Sequence, residues 1–359
     1  MAQPLKDLIN ERSVGLLADG VAAAWSPFPR DRFVTDSLSG LPGLELKDRV
    51  RHVAGCLHAG LALPFPQAAA VLADAARAVP LDLWSGWPAT DYLALHGLDH
   101  LDAAMSAIAV LTPHSTGEFA VRPYLTAHRE AALRIMYGWA ESPDEHLRRL
   151  ASEGTRPRLP WGAQVRWLME PGPTLPLLGL LRDDPSEYVR RSVANHVNDF
   201  AKTHPERTLE LLGGWRDAGG SHVERVLRHA LRGLLRSGHP GALDLVGAVP
   251  GNGVIDSLSL AGDTVAVGDS LPFTVVLRAD GPGPLILKYT VTRDGSRRTF
   301  HLAERLATTR GETFTVRKRH SFRPVTTRQE PPGPRTLDIM VNGRLRATAH
   351  FTLTPASDA

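Results

Sequence analysis

The stretch from Asp184 to Glu206, DPSEYVRRSVANHVNDFAKTHPE, carries residues whose types and spacing could do chemistry. At about 100° per residue, Arg191, Asn195, Asp199 and Lys202 fall on one stripe of a helix, bordered by Tyr188 and Ser192. The stripe sets guanidinium and ammonium groups beside a carboxylate and an amide. Such cations could hold phosphates, and a carboxylate among them could stabilise a developing positive charge or orient a water. The plainer alternative is a solvated face stapled by spaced charge pairs, each worth only tenths of a kcal/mol.

The helix that positions these groups is written locally. Asp184 can cap it, Pro185 suits its first position, and Glu187 stands three residues after the cap. Val189, Val193, His196, Val197 and Phe200 recur at helical spacing and define a core face. DEHLRRLASEG (144–154) aligns with SEYVRRSVANH (186–196), placing Glu145 on Glu187, Arg148 on Arg190 and Arg149 on Arg191. A weaker match puts Val223, Arg225 and Leu227 over Val189, Arg191 and Val193. Glu153, Asn195 and His229 then occupy equivalent positions. Two-helix units at a period of about 34–47 residues predict a HEAT-like solenoid whose second helices line a concave face.

Around this core the pattern is helical from about residue 5 to 250. Residues 5–25 and 43–78 read as amphipathic helices, and 26–42 and 79–90 as Pro/Gly/Trp-rich loops. Shorter helices then pair: 101–112 with 116–126, 128–141 with 143–154, 174–183 with 185–203 and 205–218 with 221–237, followed by 240–248. TRPRLPWGAQVRWLME (155–170) interrupts the pairing with a stiff loop that sets Trp161 beside Arg156 and Arg158. That tryptophan suits a plug in the seam between repeats as well as a functional role.

Near residue 250 apolar and polar residues begin to alternate, with turn signals that include Asp294-Gly295 and Asn342-Gly343. About seven short strands without a cysteine pair predict an immunoglobulin-like sandwich lacking the disulfide. The expected class is therefore multidomain: an all-α HEAT-like repeat solenoid over 1–250, then an all-β immunoglobulin-like sandwich over 251–359. The sandwich holds 15 Lys+Arg against 10 Asp+Glu, densest at RKRHSFR (317–323) with Arg317, Lys318 and Arg319. An edge strand protected by charge would look the same.

Composition narrows the partners. The net charge of +3 hides an asymmetry, since residues 1–121 hold 8 Lys+Arg against 13 Asp+Glu while 122–359 hold 33 against 25. Only 5 of the 41 basic residues are lysines. The arginine bias could reflect codon usage, but arginine grouped in one part of the chain also suits phosphate binding, because its planar fork pairs bidentately with phosphate. No apolar run reaches the roughly 18 residues needed to span a membrane, and MAQPLKDLINERSVG has no apolar targeting core. The single cysteine, Cys56, lies in an apolar helical pattern and reads as a structural thiol of a reducing cytoplasm. His96 and His100 have the spacing of a metal pair but no obvious third ligand, and no phosphate-cradling Gly loop or serine elbow occurs. No metal, no cofactor, no membrane and a monomeric state are expected.

Five motifs carry a family resemblance: WPATDYLALHGLDH (87–100), TGEFAVRPYL (116–125), HLRRLASEGTRPRLPWG (146–162), the 184–206 stretch, and RHALRGLLRSG (228–238). In this order they resemble the AlkC-type DNA alkylation-repair glycosylases, a HEAT-like repeat family related to AlkD, in the branch with an extra immunoglobulin-like domain. The resemblance implies a monofunctional glycosylase that removes cationic alkylated bases from double-stranded DNA in base excision repair. Its implied substrates are 3-methyladenine, 3-methylcytosine and 1-methyladenine, reached by bending the duplex without flipping the base. By motif, Glu118, Glu153, Trp161 and Asp199 would form the active-site group. Arg149, Arg156, Arg158, Arg190, Arg191, Asn195 and Lys202 would meet the DNA, joined by Arg317, Lys318 and Arg319. The competing expectation is a non-catalytic HEAT scaffold for DNA structures or a protein partner. Three carboxylates at one face discriminate, since a scaffold has no need of them.

Overall fold

Asn10 opens the first long helix by accepting from the Arg12 and Ser13 N–H groups, while Ser13 Oγ accepts from Asn10 N–H at 2.9 Å. The computed structural model describes residues 4–324 and 330–356. From this helix, α1 (Glu11–Ala24), the chain continues through α2 (Arg30–Ser39), α3 (Leu46–Leu61), α4 (Phe65–Ala78), α5 (Leu83–His96), α6 (Leu101–Leu111) and α7 (Val121–Ala127). Then come α8 (Arg129–Ala140), α9 (Glu145–Gly154), α10 (Leu175–Leu181), α11 (Glu187–Ala201), α12 (Pro205–Ala218), α13 (Val223–Ala230), α14 (Arg232–Ser237) and α15 (Pro240–Leu245). Among the described residues, no single helix is long and apolar enough to cross a membrane.

Two stretches expected as loops contain helix. α2 lies inside 26–42 and buries only Phe33 and Ser37, so its polar sequence shows little periodicity. α5 starts at Leu83 under an Asp82–Ser85 capping box and runs through Pro88. Pro88 is the sixth residue, inside the helix, and its missing N–H removes one backbone bond there.

The strands begin at Val254. β1 (Val254–Leu260), β3 (Ser270–Arg278) and β6 (Thr313–Ser321) form one sheet in the order β1-β3-β6. The other runs β2 (Thr264–Ala266), β8 (Arg344–Thr354), β7 (Gly333–Val341), β4 (Gly283–Arg293), β5 (Ser296–Ala307). Inward residues of the two sheets, among them Phe273, Val275, Leu287, Tyr289, Ile339 and Phe351, make one apolar core. Asp294 and Asn342 both take positive φ, 44° and 43°, before Gly295 and Gly343, as tight hairpin turns require. β2 is only three residues long and pairs in parallel with β8.

The packing divides the chain into two compact units. One comprises Met1–Phe200 with Gly219–Ala230, the other Ala201–Ala218 with Leu231–Ala359. The change from helix to strand falls near residue 250, yet α12, α14 and α15 group with the strands. Asn342 shows why: its Nδ2 donates to Val249 O at 2.9 Å and Pro284 O at 3.0 Å, while its Oδ1 accepts from Ile286 N–H. The β7–β8 turn is thus tied to the end of the helical chain.

Candidate active site

α11 turns Val189, Val193, His196, Val197 and Phe200 into the core, as their spacing predicts. It starts at Glu187, two residues later than a cap at Asp184 implies; Asp184 accepts from Ser186 N–H at 2.8 Å and is also held by Arg148 at 2.7 and 3.1 Å. The repeat equivalences appear as side-by-side contacts. Ser186 Oγ donates to Glu145, Arg225 to Glu187 at 3.4 Å, and Asn195 Oδ1 pairs with His229 Nε2 at 3.0 Å. His196 Nδ1 lies 3.0 Å from the Ser152 carbonyl, and burial pushes its pKa down to about 3, so a neutral ring joins α9 to α11.

Three carboxylates meet between these helices. Arg156 reaches Glu153 Oε1 at 2.6 Å with one arm, and its Nε and Nη2 both approach Asp199 Oδ2 at 3.0 Å. Arg149 pairs with Glu118 and stands 3.7 Å from Glu153, its guanidinium 5.2 Å above the Tyr188 ring. Thr116 Oγ1 donates to Glu118 at 2.6 Å, and Ser192 Oγ donates to Glu153 Oε2 at 2.6 Å. Glu153 and Asp199 are only 6% and 2% exposed. Burial works against the charge of Arg156, but Glu153 and Asp199 outweigh it and hold the guanidinium above its ordinary pKa. Two guanidiniums, Arg149 and Arg156, thus serve all three carboxylates.

Three of the arginines expected to meet phosphate are engaged within the protein. Arg156 is 8% exposed and paired with Glu153 and Asp199, and Arg149 is paired with Glu118. Arg190 is buried and donates to the Asp184 and Pro185 carbonyls at the start of α11. Each guanidinium lies within a turn or one helix of an anionic or carbonyl partner, and a buried carboxylate left unpaired would be costly. Arg158, Arg191 and Lys202 are exposed, and Arg191 stands 3.7 Å from Glu187. In the second unit Arg317, Lys318 and Arg319 are exposed on β6, at the edge of its sheet, between buried Val316 and His320.

The loop after α9 is held by a residue that sequence reasoning missed. Arg122, 1% exposed, donates from Nη1 to the Gly154 and Arg156 carbonyls, both at 3.0 Å, and from Nε to Ala163 O. Burial, then the charge of Arg156, pushes its pKa down to about 10. An arginine inside the apolar run FAVRPYL was the available signal. Trp161, at the loop's tip, is 56% exposed and does not plug a seam. Its φ is 63°, an uncommon conformation for a bulky residue, and its carbonyl accepts from Lys47 Nζ.

The two spaced histidines have separate partners. His96 stacks on His58 at 4.0 Å and His100 on Phe65 at 5.5 Å. Among the described residues, no group of three or more His, Cys, Asp or Glu is placed to hold a metal.

Comparison with known proteins covers the chain from end to end. Residues 254–355 match the family model described as the C-terminal Ig-like domain of the uncharacterised protein YhaZ. Over 355 residues the chain is 34% identical to the uncharacterized protein YhaZ of Bacillus subtilis (strain 168), spanning 97% of this chain and 98% of that one. It is also similar to the structure of Pseudomonas fluorescens alkylpurine DNA glycosylase AlkC bound to DNA containing an abasic site analog. That likeness has a TM-score of 0.89 and 31% identity over 98% of this chain and 100% of the other. Identity, coverage and shape agree across both the helical repeats and the sandwich, and the chain belongs to the AlkC-type family of HEAT-like repeat DNA glycosylases, in the branch that carries a C-terminal immunoglobulin-like domain.

Proposed function

We propose that this protein is a monofunctional DNA glycosylase that hydrolyses the N-glycosidic bond of cationic alkylated bases in double-stranded DNA. The observation that carries the reading is the buried Glu153–Arg156–Asp199 cluster. Phosphate repels carboxylates, so a surface that only holds DNA gains nothing from them; a site acting on a cation does. The AlkC relative, an alkylpurine glycosylase seen with DNA, supports the same substrate class.

The chemistry asks little of the protein beyond electrostatics. A base alkylated to a cation leaves neutral when the C1′–N bond breaks with both electrons going to the ring, so no strong general acid is needed. The positive charge passes to the sugar as an oxocarbenium-like species. Carboxylates from Glu118, Glu153 and Asp199 stabilise that charge and orient a water, whose oxygen bonds to C1′ as its proton is released. Arg156 bridges two of these carboxylates and offsets part of their mutual repulsion. The exposed Trp161 ring offers a π face to the positive charge that develops on the sugar.

In this reading 3-methyladenine, 3-methylcytosine and 1-methyladenine are substrates because each is cationic in DNA. In the same reading the lesion is met on a bent duplex and is not flipped. Incubating the full chain with methylated duplex DNA and identifying the free bases by mass spectrometry tests the proposal. Release of these three bases supports it; DNA binding with no released base would favour the scaffold.

A further inference from the structure

Trp161 borders a cavity of about 170 Å³ that the catalytic reading leaves unused. Trp87 and Phe119 form its aromatic wall, their rings stacked at 5.3 Å and 25°. Lys47 and Arg51, one turn apart on α3, also line it, with Asp91 on α5 standing 3.4 Å from Arg51. Phe119 directly follows Glu118, so the cavity adjoins the carboxylate cluster through the backbone.

Three features point to an occupant. The cavity is smaller than the roughly 300–1,000 Å³ of pockets for drug-sized ligands, which suits one planar ring. An aromatic residue in a strained backbone conformation and largely exposed marks a functional position, because packing alone does not repay the strain. Lys47 and Arg51 outnumber Asp91, so the lining disfavours a cationic ring and favours a neutral ring that carries a phosphate. The carboxylate cluster, by contrast, suits the cationic lesion itself.

We propose that this cavity is a nucleotide subsite. It takes one uncharged base of the DNA beside the lesion, stacked on Trp161, Trp87 or Phe119, with its phosphate on Lys47 and Arg51. Aromatic stacking with an electrostatic track is how proteins hold unpaired bases without reading sequence. A ring parked there would hold open the kink that exposes the lesion. The inference rests on the glycosylase reading above, because it takes DNA as the bound polymer.

Photo-cross-linking of the full chain tests it. Duplexes with an abasic-site analogue would carry 5-iodouracil, a neutral ring that cross-links to aromatic side chains, at one position at a time around the analogue. The expected adducts, mapped by mass spectrometry, fall on Trp161, Trp87 or Phe119. Ala94→Phe, which fills the cavity from its α5 wall, should suppress them and weaken binding about tenfold, the worth of one stacked base. Arg51→Gln should lower the salt slope of binding by about one unit. Adducts confined to other residues, with wild-type binding and base release intact, overturn the subsite and leave the glycosylase standing. Absence of DNA binding overturns both.

Discussion

Arg156 donates from Nε to Asp199 Oδ2 at 3.0 Å, bridging two points 43 residues apart in the chain. Its other arm holds Glu153, so one guanidinium fixes both carboxylates and cancels part of their repulsion. Arg156→Met should leave two buried like charges and lower stability by about 3–5 kcal/mol, the usual cost of breaking a buried pair from one side. The midpoint of urea unfolding measures it. A shift within the scatter of surface substitutions would mean that the pair is screened by water.

Arg190 and Arg191 are neighbours with opposite expectations. Arg191 is exposed beside Glu187, whereas Arg190 is buried on the Asp184 and Pro185 carbonyls. Arg191→Gln should reduce the salt slope of duplex binding by about one unit without loss of stability. Arg190→Gln should leave the slope alone and lower the unfolding midpoint. Equal slopes for Arg191→Gln and wild type would place Arg191 away from the DNA.

The sequence made the helical framework legible because its signals are local. The core face of α11 follows from spacing, and the hairpins at Asp294 and Asn342 follow from turn chemistry. The repeat alignment put Glu153 and Asn195 at equivalent positions, and both lie in the contacts that join successive helices. What stayed hidden was how the charges pair. Arg149, Arg156 and Arg190 look alike in a linear chain, yet each partner is set by packing, by a turn of α9 or by the start of α11. Arg122 was missed for the same reason, because its three carbonyl acceptors come together only when the loop folds.

Two buried histidines should make the protein acid-labile. Burial pushes His196 down to about 3 and His320, bonded to Tyr289 Oη at 3.0 Å, down to about 4. Below about pH 6.5 the unfolded chain binds protons that the folded chain refuses, so stability is full above that value and falls with pH. Each histidine contributes a loss of about 1.4 kcal/mol per pH unit until its folded pKa is reached. Urea unfolding at pH 7, 6 and 5 should show this slope, and His320→Gln should flatten it. An identical slope in that variant would show that His320 is protonated in the folded protein.

The sandwich is best tested by point changes. Truncation after residue 250 would cut through a compact unit and remove the Asn342 bonds to Val249 and Pro284, so the remaining α14 and α15 should unfold. Replacing Arg317, Lys318 and Arg319 together with glutamine keeps β6 in its sheet. If these exposed side chains meet the duplex, affinity and salt slope fall together. Unchanged affinity accompanied by aggregation would assign them to edge protection.

The central claim is that carboxylates of this cluster drive base release. Single-turnover excision of 3-methyladenine from one defined duplex, by wild type, Asp199→Asn and Glu153→Gln, tests it most directly. Binding to an abasic-site analogue is measured alongside. Both variants should bind as tightly as wild type or more so, and lose at least about a hundredfold in excision rate, the scale of removing one preorganised electrostatic group. Near-wild-type rates in both variants would contradict the account.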